Sequence, residues 1–142
     1  MKAKAIIFIV IMVIGLAVYG YFKAVPGIQN QTENKPQIEI NPKIFDFGEV
    51  KYGDVASHVF KVRNTGEQVL EIKKVATSCA CTEAEIEKKR LGPNEEVNLT
   101  VTYNTGAMSG SHAKGKQERI IYIKSNDPKN PQIEAIISAY VK

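Results

Sequence analysis

The sequence predicts an all-β fold, an immunoglobulin-like β-sandwich of about seven to eight antiparallel strands, preceded by an N-terminal transmembrane or signal helix. Three observations predict it. Apolar and polar residues alternate along several short runs, turn-forming clusters separate those runs, and residues 5–22 carry no charge. The 142 residues are 44% hydrophobic and 24% charged, which supplies one packed core and is too short a chain for several. Ten Gly and six Pro are too few for a collagen-like or disordered polypeptide.

The first element is the oily run from Ala5 to Phe22, with Ile6, Ile7, Phe8, Ile9, Val10, Ile11, Met12, Val13 and Ile14 in succession. At ~1.5 Å per helical residue the run reaches about 27 Å, close to the roughly 30 Å hydrocarbon layer of a bilayer. Lys2, Lys4 and the amino terminus precede it and only Lys23 follows closely. The positive-inside bias then keeps the start in the cytoplasm and places the body outside the membrane, periplasmic or extracellular. Tyr19, Tyr21 and Phe22 fall at the outer interface. The alternative is a cleaved secretory signal at Val18-Tyr19-Gly20 that releases the protein, although no Ala-x-Ala pattern stands there. Residues 1–25 are thus read as anchor or signal and residues 26–36, polar and aperiodic, as a tether; residues 37–142 form the sandwich domain.

Charge excludes one class of partner. The 19 Lys and Arg exceed the 15 Asp and Glu by four, but three of the bases flank the apolar run, leaving 16 against 15 from Pro26 onward. A near-neutral domain with interspersed signs has no stripe to track phosphates, so no nucleic-acid partner is expected.

The strands follow from period two. Val97, Leu99, Val101 and Tyr103 alternate with Glu96, Asn98, Thr100 and Thr102, giving one buried and one wet face. Ile133, Ala135, Ile137, Ala139 and Val141 do the same against Glu134, Ser138, Tyr140 and Lys142, with Ile136 the exception. Ala56, His58, Phe60 and Val62 face inward, whereas the Ile-rich stretch from Arg119 to Lys124 is ambiguous in phase. Leu70 and Ile72 share a parity that Val75, Thr77 and Cys79 do not, which predicts a bulge at Lys73 and Lys74. Turns fall at Asn64-Thr65-Gly66, Leu91-Gly92-Pro93-Asn94, Asn104-Thr105-Gly106 and Asn126 to Pro131. A single turn of helix is the reading for Ala84 to Arg90.

Ile44-Phe45-Asp46-Phe47-Gly48-Glu49-Val50 with Gly53, then Phe60-Lys61-Val62-Arg63-Asn64-Thr65-Gly66, Cys79-Ala80-Cys81-Thr82 and Ser125-Asn126-Asp127-Pro128 together resemble the bacterial domain of unknown function 1573 family, from about Ile38 to the C-terminus. Two departures occur: Ala80 stands where the family usually has Gly, and Gly92-Pro93-Asn94-Glu95 replaces a Pro-Gly-Glu turn. The family is similar to Hydin-type and major-sperm-protein-type domains. The resemblance implies an exported immunoglobulin-like module that interacts with other proteins rather than catalysing a reaction.

Cys79 and Cys81 are the only sharp chemical pair. On an extended strand, residues two apart lie about 6.6 Å apart at Cα, the upper edge of the disulfide range, so a bridge requires a local turn that Ala80 makes harder than Gly would. Closing so short a loop gains only about 1.6 kcal/mol of chain entropy. Such a bridge is expected to be strained and easily reduced, and the favoured reading is a pair of reduced, buried or partly buried cysteines filling the sandwich. Two thiolates on one face could instead hold Cu(I) or, less suitably, Zn(II), with His58, His112 and Met108 as candidates to complete a site.

His58, on an inward face, reads first as a hydrogen-bonded core-edge side chain. His112 and Met108 sit in the Gly- and Ser-containing segment Asn104 to Lys116, read as a mobile loop in which Lys114 and Lys116 offer charge to a partner. No nucleophile elbow or metal-binding His pair occurs, so no catalytic residue is assigned and no enzyme is expected. The expected function is a membrane-anchored extracytoplasmic binding or scaffolding module with a protein partner in the cell envelope and no required cofactor. A thiol-dependent copper-binding or redox protein is the alternative.

Overall fold

The computed structural model describes residues 11–20, 34–110 and 113–142. The chain divides into two units, residues 1–33 and Asn34–Lys142. In the first, residues 11–20 are helical with every residue exposed. No helix among the described residues is long and apolar enough to cross a membrane. The remaining residues of the 5–22 run lie outside those described.

The second unit holds nine strands among the described residues: β1 (Ile38–Asn41), β2 (Ile44–Val50), β3 (Val55–Asn64), β4 (Leu70–Thr77), β5 (Thr82–Ile86), β6 (Arg90–Leu91), β7 (Glu96–Asn104), β8 (Gly115–Ser125) and β9 (Gln132–Val141). They form a four-stranded sheet, β1-β3-β7-β5, and a five-stranded sheet, β2-β9-β8-β4-β6. This is a two-sheet immunoglobulin-like sandwich with one strand more than the upper expectation. It is also not wholly antiparallel, because β2 runs parallel to β9. After β1 the chain passes through a cis Asn41-Pro42 peptide and enters the other sheet, where β2 lies along β9 from Ile44↔Ile136 to Val50↔Val141.

The period-two reading places the core correctly. Val97, Leu99, Val101 and Tyr103 of β7 are buried, as are Ala135, Ile137, Ala139 and Val141 of β9. They meet Phe60 and Val62 of β3 and Leu70 and Ile72 of β4, all at most 2% exposed, in one continuous apolar layer. The ambiguous phase of β8 resolves with Ile121 and Ile123 inward and Ile120 and Tyr122 outward. The bulge falls where parity placed it, since the β4–β8 register shifts between Ile72 and Lys74. The helical turn expected at Ala84 to Arg90 is not found: β5 pairs along β7 from Thr82↔Tyr103 to Ile86↔Leu99. Glu83 and Glu85 are exposed there while Ala84 and Ile86 are half-buried, a strand alternation too short to outweigh helix propensity when read alone.

Two buried polar side chains tie loops to this core. Asn64 accepts hydrogen bonds at Oδ1 from Gln37 N (3.3 Å) and Gly66 N (3.0 Å). Its Nδ2 donates to the carbonyls of Gln68, Leu91 and Gly92 at 2.7–3.1 Å. Asp127 accepts from Ile38 N at 2.9 Å and from Lys129 N and Asn130 N at 2.8 and 3.0 Å. The turn after Asn64 requires glycine. A Cβ on Gly66 would lie 2.6 Å from Gln37 N and closer still to the Lys35 carbonyl, both of them backbone.

Candidate functional site

The chain crosses from one sheet to the other between β4 and β5, and both cysteines sit on this crossover. The crossover is a tight turn: Thr82 N donates to Cys79 O at 3.1 Å, and Thr77 Oγ1 donates to the carbonyls of Cys79 (3.1 Å) and Thr82 (2.9 Å). The turn brings the two Cα atoms to 5.1 Å, and Cys79 and Cys81 are joined in a disulfide. The favoured expectation of two reduced cysteines is therefore corrected, since no free cysteine remains. An extended backbone would hold these Cα atoms about 6.6 Å apart, whereas the crossover bends it. Ala80 is no obstacle, because Asn94 is the sole non-glycine residue among those described with positive φ.

Side chains from β8 and the loop before it close around the bridge. Arg119 donates from Nε to Cys81 Sγ at 3.2 Å and from Nη2 to Met108 Sδ and Gln117 Oε1, both at 2.7 Å. Its guanidinium lies 5.6 Å from the centroid of the Tyr103 ring, and its Nη1 donates to the Glu118 carbonyl at 2.6 Å. Met108 Sδ lies 4.0 Å from Cys79 Sγ. Of the sequence candidates, the structure thus gathers Cys79, Cys81 and Met108. His112 lies outside the described residues. While the two sulfurs are bonded to each other, neither offers a thiolate to Cu(I); a soft ion there would require the reduced pair.

His58 does not join this cluster. Its ring stacks on Phe45 with centroids 3.5 Å apart and meets Phe60 edge-on at 4.7 Å. The expected hydrogen bond is absent, since Nε2 is buried without a partner among the described residues. Burial pushes its pKa below the ordinary 6.5. The unfolded chain therefore takes up a proton at higher pH than the folded one, and stability that is complete above pH 6.5 falls as pH drops through the folded value. A His58→Phe variant should remove that slope between pH 7 and 5 in thermal melts while keeping the aromatic stack.

The segment Asn104 to Lys116, expected as a mobile loop, is fastened over much of its described length. Thr105 to Ala107 form a 3-10 turn capped by the Asn104 side chain. The Thr105 hydroxyl is shared between the carbonyls of Lys51 (3.0 Å) and Asp54 (2.8 Å), and Tyr52 OH donates to Met108 O at 2.8 Å. These contacts are what hold Met108 beside the disulfide.

Arg119 is the site residue that the sequence reading passed over. It occupies an inward position of β8, in phase with Gln117, Ile121 and Ile123. A base at an inward strand position was the available signal, and it was lost because the phase of that strand was ambiguous.

A second feature lies on the outer face of the five-stranded sheet. Ile44, Ile136 and Ile120 sit side by side across β2, β9 and β8, with Tyr122 and Ala76 in the next row. Ile44 is 63% exposed and Tyr140, farther along β9, is 52% exposed. The row is bounded at one end by Lys74 and Lys124, and at the other by Asp46 and Glu118. The Ile136 that broke the alternation of the last strand is the centre of this patch.

Comparison with known proteins fits this architecture. A protein of unknown function from Porphyromonas gingivalis W83 superposes with a TM-score of 0.67 at 20% identity, over 74% of this chain and 46% of that one. The chain thus spans about half the length of that relative. PapD-like domain 7 of human CEP192 superposes with a TM-score of 0.59 at 11% identity, over 77% and 87% of the two chains. The YadV chaperone does so with a TM-score of 0.51 at 11% identity, over 74% and 51%. No curated protein matches the chain. At these identities the likeness concerns the fold. The family description "Protein of unknown function (DUF1573)" matches residues 38–141, which is most of the sandwich unit and most of the chain, and the protein belongs to that family.

Proposed function

We propose that this protein is a membrane-tethered binding module that works outside the cytoplasm by contact with a protein partner rather than by turnover. The observation that carries the reading is the apolar row of Ile44, Ile136 and Ile120 on the outer face of the five-stranded sheet, in which Ile44 is exposed and Ile136 and Ile120 are half-buried. The partner it fits is a protein surface with an apolar strip, an acidic edge to meet Lys74 and Lys124, and a basic edge to meet Asp46 and Glu118. The fold supports the same reading, since chaperone-like and PapD-like sandwiches are among its structural neighbours. An exported location is supported by the charge-free run with its basic N-terminal flank and by a disulfide, which persists in oxidising compartments.

A C-terminal alkaline phosphatase fusion tests the location: the reporter is expected to be active, and an inactive reporter alongside a fluorescent cytoplasmic fusion would overturn it. Chemical crosslinking in intact cells tests the contact. Ile120→Glu combined with Ile136→Glu should abolish the crosslinked adduct, whereas Cys79→Ser with Cys81→Ser should leave it intact. Retention of the adduct in the folded isoleucine variant would overturn the assignment of the face.

A further inference from the structure

We propose that the Cys79–Cys81 bridge is an exchangeable disulfide with a fixed polarity: an external thiolate attacks Cys79, and Cys81 departs as a thiolate held by Arg119. This activity is independent of the binding face, which lies on the outside of the sheet.

Three observations carry it. The two sulfurs belong to unequally accessible residues, since Cys81 is 3% exposed while Cys79 is half-buried, so an incoming thiol reaches Cys79. The donors around the sulfurs are unequal as well. Cys79 Sγ accepts one neutral backbone bond, from Cys81 N at 3.1 Å. Cys81 Sγ accepts a charged one from Arg119 Nε at 3.2 Å and has the Thr82 hydroxyl at 3.7 Å. A charge-assisted donor stabilises an anion more than a neutral amide does, so negative charge settles on Cys81. Finally, Arg119 has no carboxylate partner among the described residues, although Arg90, Lys61, Lys88 and Lys142 each have one. Its half-buried charge is directed at sulfur by bonds to Gln117 Oε1 and the Glu118 carbonyl.

The chemistry balances with thiols as the reductant. A thiolate RS⁻ forms a bond to Cys79 Sγ as the Cys79–Cys81 bond breaks, and the electron pair leaves on Cys81 Sγ. A second thiolate attacks the external sulfur of the mixed disulfide and releases Cys79 as a thiolate. Two electrons and two protons pass from two RSH to the protein, giving RSSR and the dithiol, and the reverse sequence oxidises a substrate dithiol. Arg119 lowers the energy of the departing thiolate in the first step and of the buried thiolate in the product.

The test treats the full-length chain with reduced glutathione, quenches with acid, caps free thiols with N-ethylmaleimide and maps the adducts by mass spectrometry. Glutathione is expected on Cys79 and maleimide on Cys81. Glutathione on Cys81, or equally on both, would overturn the proposal, and this result comes from the wild-type protein without any variant. Arg119→Gln should slow exchange roughly tenfold and shift the appearance of thiolate absorbance at 240 nm in the reduced protein to higher pH, with Arg119→Lys recovering part of both. A folded Arg119→Gln protein with unchanged rate and unchanged thiolate titration would contradict the role given to the guanidinium.

Discussion

Replacing Asn64 by Ala is expected to cost roughly 3–5 kcal/mol, a large share of the about 5–15 kcal/mol that holds a domain of this size folded. The side chain is fully buried and satisfies both sides of its amide: two backbone N–H groups donate to Oδ1 and three carbonyls receive bonds from Nδ2. It thereby joins the end of β3 to the segment before β1, to the loop leading into β4 and to the turn after β6. Truncation removes these bonds and leaves the buried Leu91 carbonyl and the part-buried Gly92 carbonyl with a lost partner, which no apolar contact compensates. Asn64→Asp is the informative companion. It keeps the acceptor for Gly66 but faces a carboxylate with three carbonyl oxygens, so it should be destabilised about as much as the alanine variant. Chemical denaturation of the three proteins measures this directly; a loss under 1 kcal/mol for Asn64→Ala would show that the loops hold together without the amide.

Asp127 is expected to set the acid limit of the fold. It is 1% exposed. Burial works to raise its pKa, but the backbone N–H groups of Ile38, Asn130 and Lys129 more than offset that and hold it below the ordinary 3.8. The sign follows from linkage. The unfolded chain binds the proton more readily, so the stabilisation is complete above about pH 4 and is lost as pH falls through the depressed folded value. Asp127→Asn should cost roughly 2–4 kcal/mol at neutral pH, because one of two acceptor oxygens becomes an NH₂ group facing backbone donors. It should also flatten the acid limb of the stability profile, since the group that titrates is gone. A variant with unaltered acid sensitivity would assign that limb to other carboxylates.

Both residues belong to motifs visible in the sequence, Asn64-Thr65-Gly66 and Ser125-Asn126-Asp127-Pro128, yet only their turn character could be read there. That they bond across the domain, Asp127 to Ile38 over 89 positions, depends on which strands become neighbours. The strands with one wholly apolar face, β7 above all, were legible because burial on one side writes a period of two into the chain. β5 was not, because its alternation is only five residues long and its partner, β7, supplies the order. The same limit explains the candidate site. Cys79 and Cys81 were conspicuous, but their bridge depends on a crossover turn between sheets, and Arg119 approaches them from a strand 38 positions away. His58 was placed on the correct face and given the wrong partner: two aromatic rings from β2 and β3 occupy the space where a hydrogen-bonding group was expected.

The exceptions to the alternation carry as much information as the rule. Ile136 sits on the outward face of β9 and finds Ile44 and Ile120 beside it, so a local irregularity in three separate strands becomes one continuous surface only after folding. The reading of this protein as a contact module stands on that surface. Its most direct test places a photoreactive benzoylphenylalanine at Ile136 and, as a control, at Val59 on the outer face of the opposite sheet, in cells with the full-length chain. Irradiation is predicted to give a discrete protein adduct from position 136 that disappears when Ile44→Glu is added, with none from position 59. No adduct at position 136, or one equally strong at position 59 and indifferent to Ile44→Glu, would contradict the account.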